Sequence, residues 1–211
     1  MSSFPAELDL LKESKTRLTY FKGENIYKQG AFAPYVIYIV EGLAKICLQT
    51  GSKKQINLRI AGKGDFLALS AVFGESRYSA TAIALKDTLT CMIDKDSLGK
   101  LLMMNPELAI RISSQNYHHE TRLVQLIKSL SYNQMRGKLA SALLYLSEPQ
   151  HLEENIFEFL SRQDIADFAS ISLESAVKFL KEFDKERIIR VAGRLITIED
   201  QDKLKEMSLH G

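Results

Sequence analysis

The chain has 211 residues, of which 45% are hydrophobic and 26% are charged, a composition typical of a soluble globular protein with one large or two small domains. Its apolar runs are far shorter than the roughly 20 residues of a membrane span, no secretory segment is visible, and two cysteines cannot build a disulfide framework or a four-cysteine cluster. The net charge of +2 neither requires nor excludes a nucleic-acid partner, and a reducing cytoplasm is the expected location.

Residues 15–100 are predicted to form a compact β-rich unit. Short runs of β-branched and aromatic residues, densest at 35–46, alternate with single glycines, as strands alternate with turns. Residues 81–85 and 89–93 are predicted as two further strands. Cys47 and Cys91 fall within predicted strands, where we expect small core residues rather than ligands.

A long helix is predicted from Asn105 to about residue 130. Pro106 is favourable just inside a helix start, because its missing N–H would be unpaired there in any case. The helix can pair with a copy of itself or lie as an amphipathic helix on its own domain, and the sequence leaves both open. Adjacent His118 and His119 face different directions, so they cannot jointly bind one metal ion. Ile110, Tyr117 and Val124 are seven residues apart and form an apolar stripe that Leu123, Ile127 and Leu130 extend.

The C-terminal part is predicted to hold a helix-turn-helix followed by a hairpin. A helix at 134–147 follows a domain boundary near Ser131. Ser161 and Asp164 then stand in a capping-box pattern that opens a short helix, and Ser172 caps the next helix after a turn at 170–171. Strands at 188–191 and 195–198 follow. This order is typical of a winged helix.

In a helix-turn-helix the second helix enters the major groove, and its N-terminal side chains reach the base edges. Lys178 can donate to guanine, Glu174 can accept from cytosine, and Leu173 can touch a thymine methyl group. Phosphate contacts position the protein without reading sequence, and Ser161, Arg162, Arg190 and Arg194 are candidates for them. The predicted DNA-binding residues are Ser161, Arg162, Ser172, Leu173, Glu174, Ser175, Lys178, Lys181, Arg190 and Arg194.

Two other interpretations of this segment stay open. Glu174 and Lys178 are four residues apart and can form a surface ion pair on one helix. A winged helix can also bind protein in place of DNA. Residues 132–211 carry 11 Lys and Arg against 14 Asp and Glu, so a basic patch for DNA has to be local.

Several short stretches follow one family pattern: Phe21-Lys22-Gly23-Glu24, Gln29-Gly30, Tyr38-Ile39-Val40-Glu41-Gly42, Gly64-Asp65-Phe66, Asn105-Pro106-Glu107, Ser161-Arg162-Gln163-Asp164-Ile165-Ala166 and Ser172-Leu173-Glu174-Ser175-Ala176-Val177-Lys178. With the order of the parts, they resemble the Crp/Fnr family of bacterial transcription regulators over essentially the whole chain. The resemblance implies an α+β fold: an N-terminal β-roll (a double-stranded β-helix) that senses an effector at 1–104, a dimerisation helix at 105–131, and a C-terminal winged helix-turn-helix at 132–211.

The resemblance also implies the partners. The expected assembly is a homodimer joined along the long helix through Ile110, Tyr117, Val124 and Ile127. We expect it to bind double-stranded DNA at a near-palindromic operator and to contact RNA polymerase.

The sequence departs from the family at the effector pocket. Members that bind cyclic AMP carry a Glu for the ribose and an Arg-Ser pair for the phosphate, and two hydroxyl residues on the long helix. The corresponding residues here are Leu69, Tyr78-Ser79 and Leu123-Val124, with Arg77 one place off. We therefore expect that cyclic AMP does not bind in the usual manner. The predicted pocket residues are Leu69, Ser70, Arg77, Tyr78, Ser79, Leu123 and Val124.

Three alternatives remain for this pocket: Tyr78 fills it, a less polar effector occupies it, or Arg77 and Ser79 hold a cyclic nucleotide. We expect no metal site. An iron–sulfur sensor of this family needs an N-terminal cysteine cluster, and residues 1–46 contain no Cys. No nucleophile, metalloprotease or phosphate-loop motif occurs, so we expect no catalytic residues and no enzyme.

Overall fold

The structure is a computed structural model that describes residues 11, 14–51, 54–148 and 156–210. The described residues divide into two compact units. One comprises those within Met1–Lys53 together with Leu58–Thr121, and the other comprises Lys54–Asn57 together with those within Arg122–Gly211. This division falls within the long helix, so the predicted boundaries after residues 104 and 131 remain predictions.

Two four-stranded antiparallel sheets make up most of the first unit. The strands in chain order are β1 (Lys15–Tyr20), β2 (Asn25–Tyr27), β3 (Tyr35–Glu41), β4 (Leu43–Gln49), β5 (Gln55–Gly62), β6 (Phe66–Leu67), β7 (Thr81–Ala84) and β8 (Thr88–Asp94). One sheet has the order β1-β8-β3-β6 and the other β2-β7-β4-β5. Side chains from both sheets, such as Ile37 and Ile46, join a single apolar core. The predicted β-roll is therefore confirmed.

Gly42 turns the chain from β3 into β4. Its φ of +108° favours glycine, and a Cβ atom here would lie 2.6 Å from the Thr88 Cα atom. Thr88 Oγ1 accepts a hydrogen bond from the Leu43 amide at 3.2 Å. The chain thus passes from one sheet to the other at Gly42, where no larger residue fits.

The predicted β-rich segment ends earlier than residue 100. Helix α1 (Lys95–Met104) follows β8 directly. The Asp94 carboxylate accepts a hydrogen bond from the Ser97 amide at 2.9 Å and caps this helix, and the same bond lowers the pKa of Asp94. Leu98 and Leu101 of α1 are buried against the core. This helix and its Asp94 cap were not predicted from the sequence.

The predicted long helix is confirmed as α2 (Pro106–Tyr132), with Asn105 Oδ1 accepting from the Leu108 amide at 3.1 Å. Leu108 and Ile112 are buried, so one face of the helix lies on its own domain. Four residues of the apolar stripe lie on the opposite, exposed face: Ile110, Tyr117, Val124 and Ile127 are 62–69% exposed. The buried face fits a helix that lies on its own domain, whereas pairing of the exposed face with a second copy remains a prediction.

The described residues of the second unit form further helices and a hairpin. They are α3 (Met135–Leu146), α4 (Arg162–Ala169), α5 (Leu173–Lys185), β9 (Ile189–Ala192), β10 (Leu195–Ile198) and α6 (Gln201–His210). The winged helix is confirmed, whereas α6 was not predicted. Asn133 donates to the Ser208 carbonyl oxygen at 2.8 Å, which connects the end of α2 to α6.

Candidate nucleic-acid interface

The helix-turn-helix is set by two local caps. Ser161 Oγ accepts from the Asp164 amide at 3.1 Å, and Asp164 Oδ2 accepts from the Ser161 amide at 2.8 Å, which completes the predicted capping box of α4. Ser170 ends α4 in a left-handed conformation with φ of 52°. Ser172 Oγ then accepts from the Ser175 amide at 3.1 Å and begins α5. The turn between α4 and α5 therefore has the length that the sequence indicated.

Helix α5 has one apolar face and one free face. Ala176, Leu180 and Phe183 are buried within the second unit. Val177, next to Ala176, is half-buried. The free face carries most of the predicted reading side chains, which surround a shallow open groove: Leu173, Glu174, Lys178 and Lys181. The groove is therefore lined by apolar, acidic and basic groups together.

Lys178 has an acidic neighbour other than the one expected. Its Nζ lies 4.0 Å from Glu182 Oε1, one turn further along α5. The expected Glu174–Lys178 pair does not occur in the described part of the chain. Hydrogen bonds from its own backbone amide and from Ser172 lower the pKa of exposed Glu174, so this carboxylate is ionised at the start of the helix.

The four predicted phosphate contacts have different surroundings. Arg162 donates to the Gly193 carbonyl oxygen at 2.6 Å, and burial lowers its pKa. Arg190 Nε lies 2.9 Å from Glu199 Oε1. Ser161 and Arg194 are exposed. Arg162 and Arg190 thus already bind groups of the hairpin and its flanks. The phosphate contacts of all four residues remain predictions.

The ion pairs between Arg136 of α3 and the acidic residues at the C-terminal end of α5 were not predicted from the sequence. Arg136 Nη1 lies 3.3 Å from Glu182 Oε2, and Arg136 Nη2 lies 3.0 Å from Glu186 Oε1. Asp184 Oδ1 accepts from the Val191 amide at 2.8 Å and fixes the first strand of the hairpin. Arg136 is 46 positions away from Glu182 in the sequence, so no local spacing reveals the pair.

The predicted effector residues are divided between the two units, and Tyr78 is the most buried of them. Tyr78 is 7% exposed, stacks on Tyr27 with ring centroids 4.3 Å apart, and donates to the Tyr35 carbonyl oxygen at 3.2 Å. Burial raises the pKa of Tyr78, so the phenol is neutral. Arg77 donates to the Gly30 carbonyl oxygen at 2.6 Å.

The remaining predicted pocket residues are less buried. Leu69 and Ser70 are half-buried, and Ser79 is exposed. Leu123 and Val124 belong to the second unit and are 37% and 62% exposed.

A polar cluster in the first unit was not foreseen. The Asp65 carboxylate accepts from Gln115 Nε2 at 2.8 Å, lies 3.5 Å from Arg59 Nη1 and lies 3.7 Å from His119 Nε2. Burial, reinforced by Arg59 and His118 and opposed by Asp65, lowers the pKa of His119 to about 4. His119 is therefore neutral near pH 7. The neighbouring His118 side chain is exposed, whereas that of His119 is half-buried.

Other chemistry is sparse in the described residues. Cys47 and Cys91 are buried in the core, as predicted. Within the described ranges, no three His, Cys, Asp or Glu side chains lie together in a way that could hold a metal ion. None of the described helices combines the length and apolarity needed to cross a bilayer.

Comparison with known proteins assigns both halves of the chain. Residues 17–105 match the cyclic nucleotide-binding domain, and residues 137–207 match the Crp-like helix-turn-helix domain. The anaerobic regulatory protein of Bacillus subtilis is 28% identical over 195 residues, which cover 89% of this chain and 82% of that protein. The cAMP-activated global transcriptional regulator CRP of Salmonella typhimurium is 23% identical over 185 residues, which cover 85% of this chain and 87% of that protein.

Solved structures share the fold. The c-di-GMP-responsive global regulator CLP of Xanthomonas campestris superimposes with a TM-score of 0.79 at 16% identity, over 92% of this chain and 98% of that chain. A mutant of CooA from Carboxydothermus hydrogenoformans gives a TM-score of 0.77 at 18% identity, over 98% and 96%. At these identities the likeness is one of fold.

Proposed function

The chain belongs to the Crp/Fnr family of DNA-binding transcription regulators, and we propose that it acts as a homodimer that reads a near-palindromic operator through α5 of each protomer. The observation that carries this proposal is the free face of α5. Its start is fixed by the Ser172 cap, and Lys178, whose side chain is 68% exposed, lies on the face opposite buried Ala176 and Leu180. A helix held in this way can enter a major groove with its N-terminal side chains at the base edges.

The exposed stripe of α2 supports the homodimer. Its four large apolar side chains, spaced for pairing with a second helix, are open to water in the single chain. Pairing with a second copy would bury them. A two-fold assembly would present two α5 helices, and reading of successive major grooves needs them about 34 Å apart. RNA polymerase is the further partner that this proposal includes.

Selection of bound duplexes from a random pool tests the proposed DNA binding. We expect recovery of a near-palindrome whose affinity falls roughly 10³-fold or more between 50 and 200 mM salt if six or more phosphates are contacted. Recovery of no sequence, or binding that does not respond to salt, would favour a winged helix that contacts protein.

We also propose that the β-roll does not bind cyclic AMP in the usual manner. Leu69 cannot accept from a ribose hydroxyl, and Tyr78 occupies the position of the family's Arg as a buried, neutral ring. A buried phosphate without a cationic partner costs several kcal/mol. The pocket is then either closed by Tyr78 or open to a less polar effector.

Titration calorimetry with cyclic AMP tests this proposal. The expected result is no saturable heat. Saturable binding that Arg77→Ala abolishes would show instead that Arg77 holds a cyclic nucleotide.

A further inference from the structure

The free face of α5 is joined to a chain of alternating charges that crosses three helices. Lys178 pairs with Glu182 at 4.0 Å, Glu182 pairs with Arg136 at 3.3 Å, and Arg136 pairs with Glu186 at 3.0 Å. Lys203 of α6 lies 3.9 Å from the far oxygen of Glu186. The order of charges is therefore plus, minus, plus, minus, plus, beginning at the side chain predicted to read a base.

We infer that Glu182 competes with DNA for Lys178, and that Arg136 sets how strongly it competes. This inference rests on the proposed DNA binding. The Lys178 ammonium has other neighbours besides Glu182, since it lies 5.5 Å from the Phe179 ring centroid. Only Glu182, however, places an opposite charge beside it in the described structure. To reach a base, the ammonium has to leave this carboxylate or bring it towards the phosphates.

The two oxygens of Glu182 are used on opposite sides. Oε1 faces Lys178, whereas Oε2 faces Arg136 Nη1. Arg136 is held in place by Glu186 and by the Phe183 ring, whose centroid lies 5.4 Å from its guanidinium carbon. It therefore draws Glu182 towards α3 and away from Lys178. Arg136 is a positioning residue, and it couples α3 to the reading face of α5.

The Glu182→Gln variant tests the competition. An exposed i,i+4 ion pair is worth about 0.3–0.5 kcal/mol, and a bound homodimer gives up two of them, so we expect about two- to fivefold tighter binding to a duplex selected with the wild-type chain. Glu206→Gln is the matched control, because it removes the same charge from an exposed position of α6 outside the Lys178–Glu182–Arg136 chain of ion pairs; we expect affinity unchanged within error. On a Lys178→Ala background, Glu182→Gln should give no gain.

The Arg136→Gln variant tests the positioning role. We expect about two- to fivefold weaker binding in the wild-type background, because Glu182 is then free to follow Lys178, and no effect in the Glu182→Gln background. A loss that persists in that background would make Arg136 a direct DNA contact and would overturn its role through Glu182. Thermal melting of each variant reports whether the fold is kept.

The outcomes separate this inference from the function on which it rests. Equal gains from Glu182→Gln and Glu206→Gln, or a gain that survives Lys178→Ala, would show a general charge effect and overturn the competition alone. A wild-type chain that selects no duplex would overturn the proposed DNA binding and the inference together.

Discussion

Replacing Lys178 by Ala should weaken base discrimination while leaving the fold intact. Its side chain is 68% exposed, and its partner Glu182 lies at 4.0 Å, so the folded chain loses an exposed ion pair and a contact with the Phe179 ring at 5.5 Å. Such pairs contribute about 0.5 kcal/mol or less to the free energy of unfolding. Urea unfolding of the variant should therefore match the wild type within that margin.

The effect on DNA should be larger and confined to one position in each half-site. A well-placed contact to guanine O6 and N7 discriminates against the wrong base by about 1–3 kcal/mol, which is roughly 5- to 150-fold in affinity. Affinities for a panel of duplexes, each with one base pair changed from the selected site, measure this discrimination. The wild type should lose affinity at one symmetric pair of positions, and Lys178→Ala should no longer distinguish the bases there.

Lys185→Ala is the control, because it removes the same charge from the other end of α5. It should leave the pattern of base preferences unchanged. If Lys178→Ala instead weakened every duplex equally and reduced the salt slope by about 1, Lys178 would be a phosphate contact and the proposed base reading would be wrong.

Three further outcomes are expected. Tyr78→Ala should lower the free energy of unfolding by about 3 kcal/mol in urea titrations, because the ring is 7% exposed, whereas Phe73→Ala, at an 81% exposed ring, should change it little. Ile127→Asp should shift the chain from dimer to monomer in sedimentation velocity, and Gln125→Asp, which adds the same charge at an exposed position of α2, should not; a monomeric wild type would contradict the homodimer. Burial lowers the pKa of His119 from 6.5 to about 4, so the unfolded chain takes up this proton at higher pH than the folded chain does. The contribution of neutral His119 to the free energy of unfolding is then full above about pH 6.5 and is lost as pH falls towards 4. The free energy of unfolding of the wild type, minus that of His119→Gln, should therefore decrease with falling pH when both are measured by urea unfolding across that range. A difference that does not change with pH would contradict the lowered pKa of His119.

The helix-turn-helix was predictable because its signals are local. Ser161 with Asp164, and Ser172 with the residues after it, fix helix starts through hydrogen bonds that span three positions. The strands at 81–85 and 89–93 were also placed to within a residue or two. Short-range chemistry therefore carried most of the fold class.

The contacts between residues far apart in the sequence could not be predicted. Nothing near Tyr78 indicates that its ring stacks on Tyr27, and nothing near Arg136 indicates Glu182. The Asp65–His119 contact likewise joins a turn to the middle of α2. Such pairs depend on the packing of whole elements, so spacing along the chain cannot reveal them.

The hairpin of the winged helix depends on groups outside it. A two-stranded ribbon is marginally stable alone, and here Arg162 of α4 donates to its turn at Gly193 while Asp184 of α5 accepts from Val191. Grafting β9 and β10 onto an unrelated pair of helices would therefore transfer a peptide without its fixed shape. A chimera that is meant to keep the hairpin's conformation needs α4 and α5 as well, or at least residues in the host that replace Arg162 and Asp184.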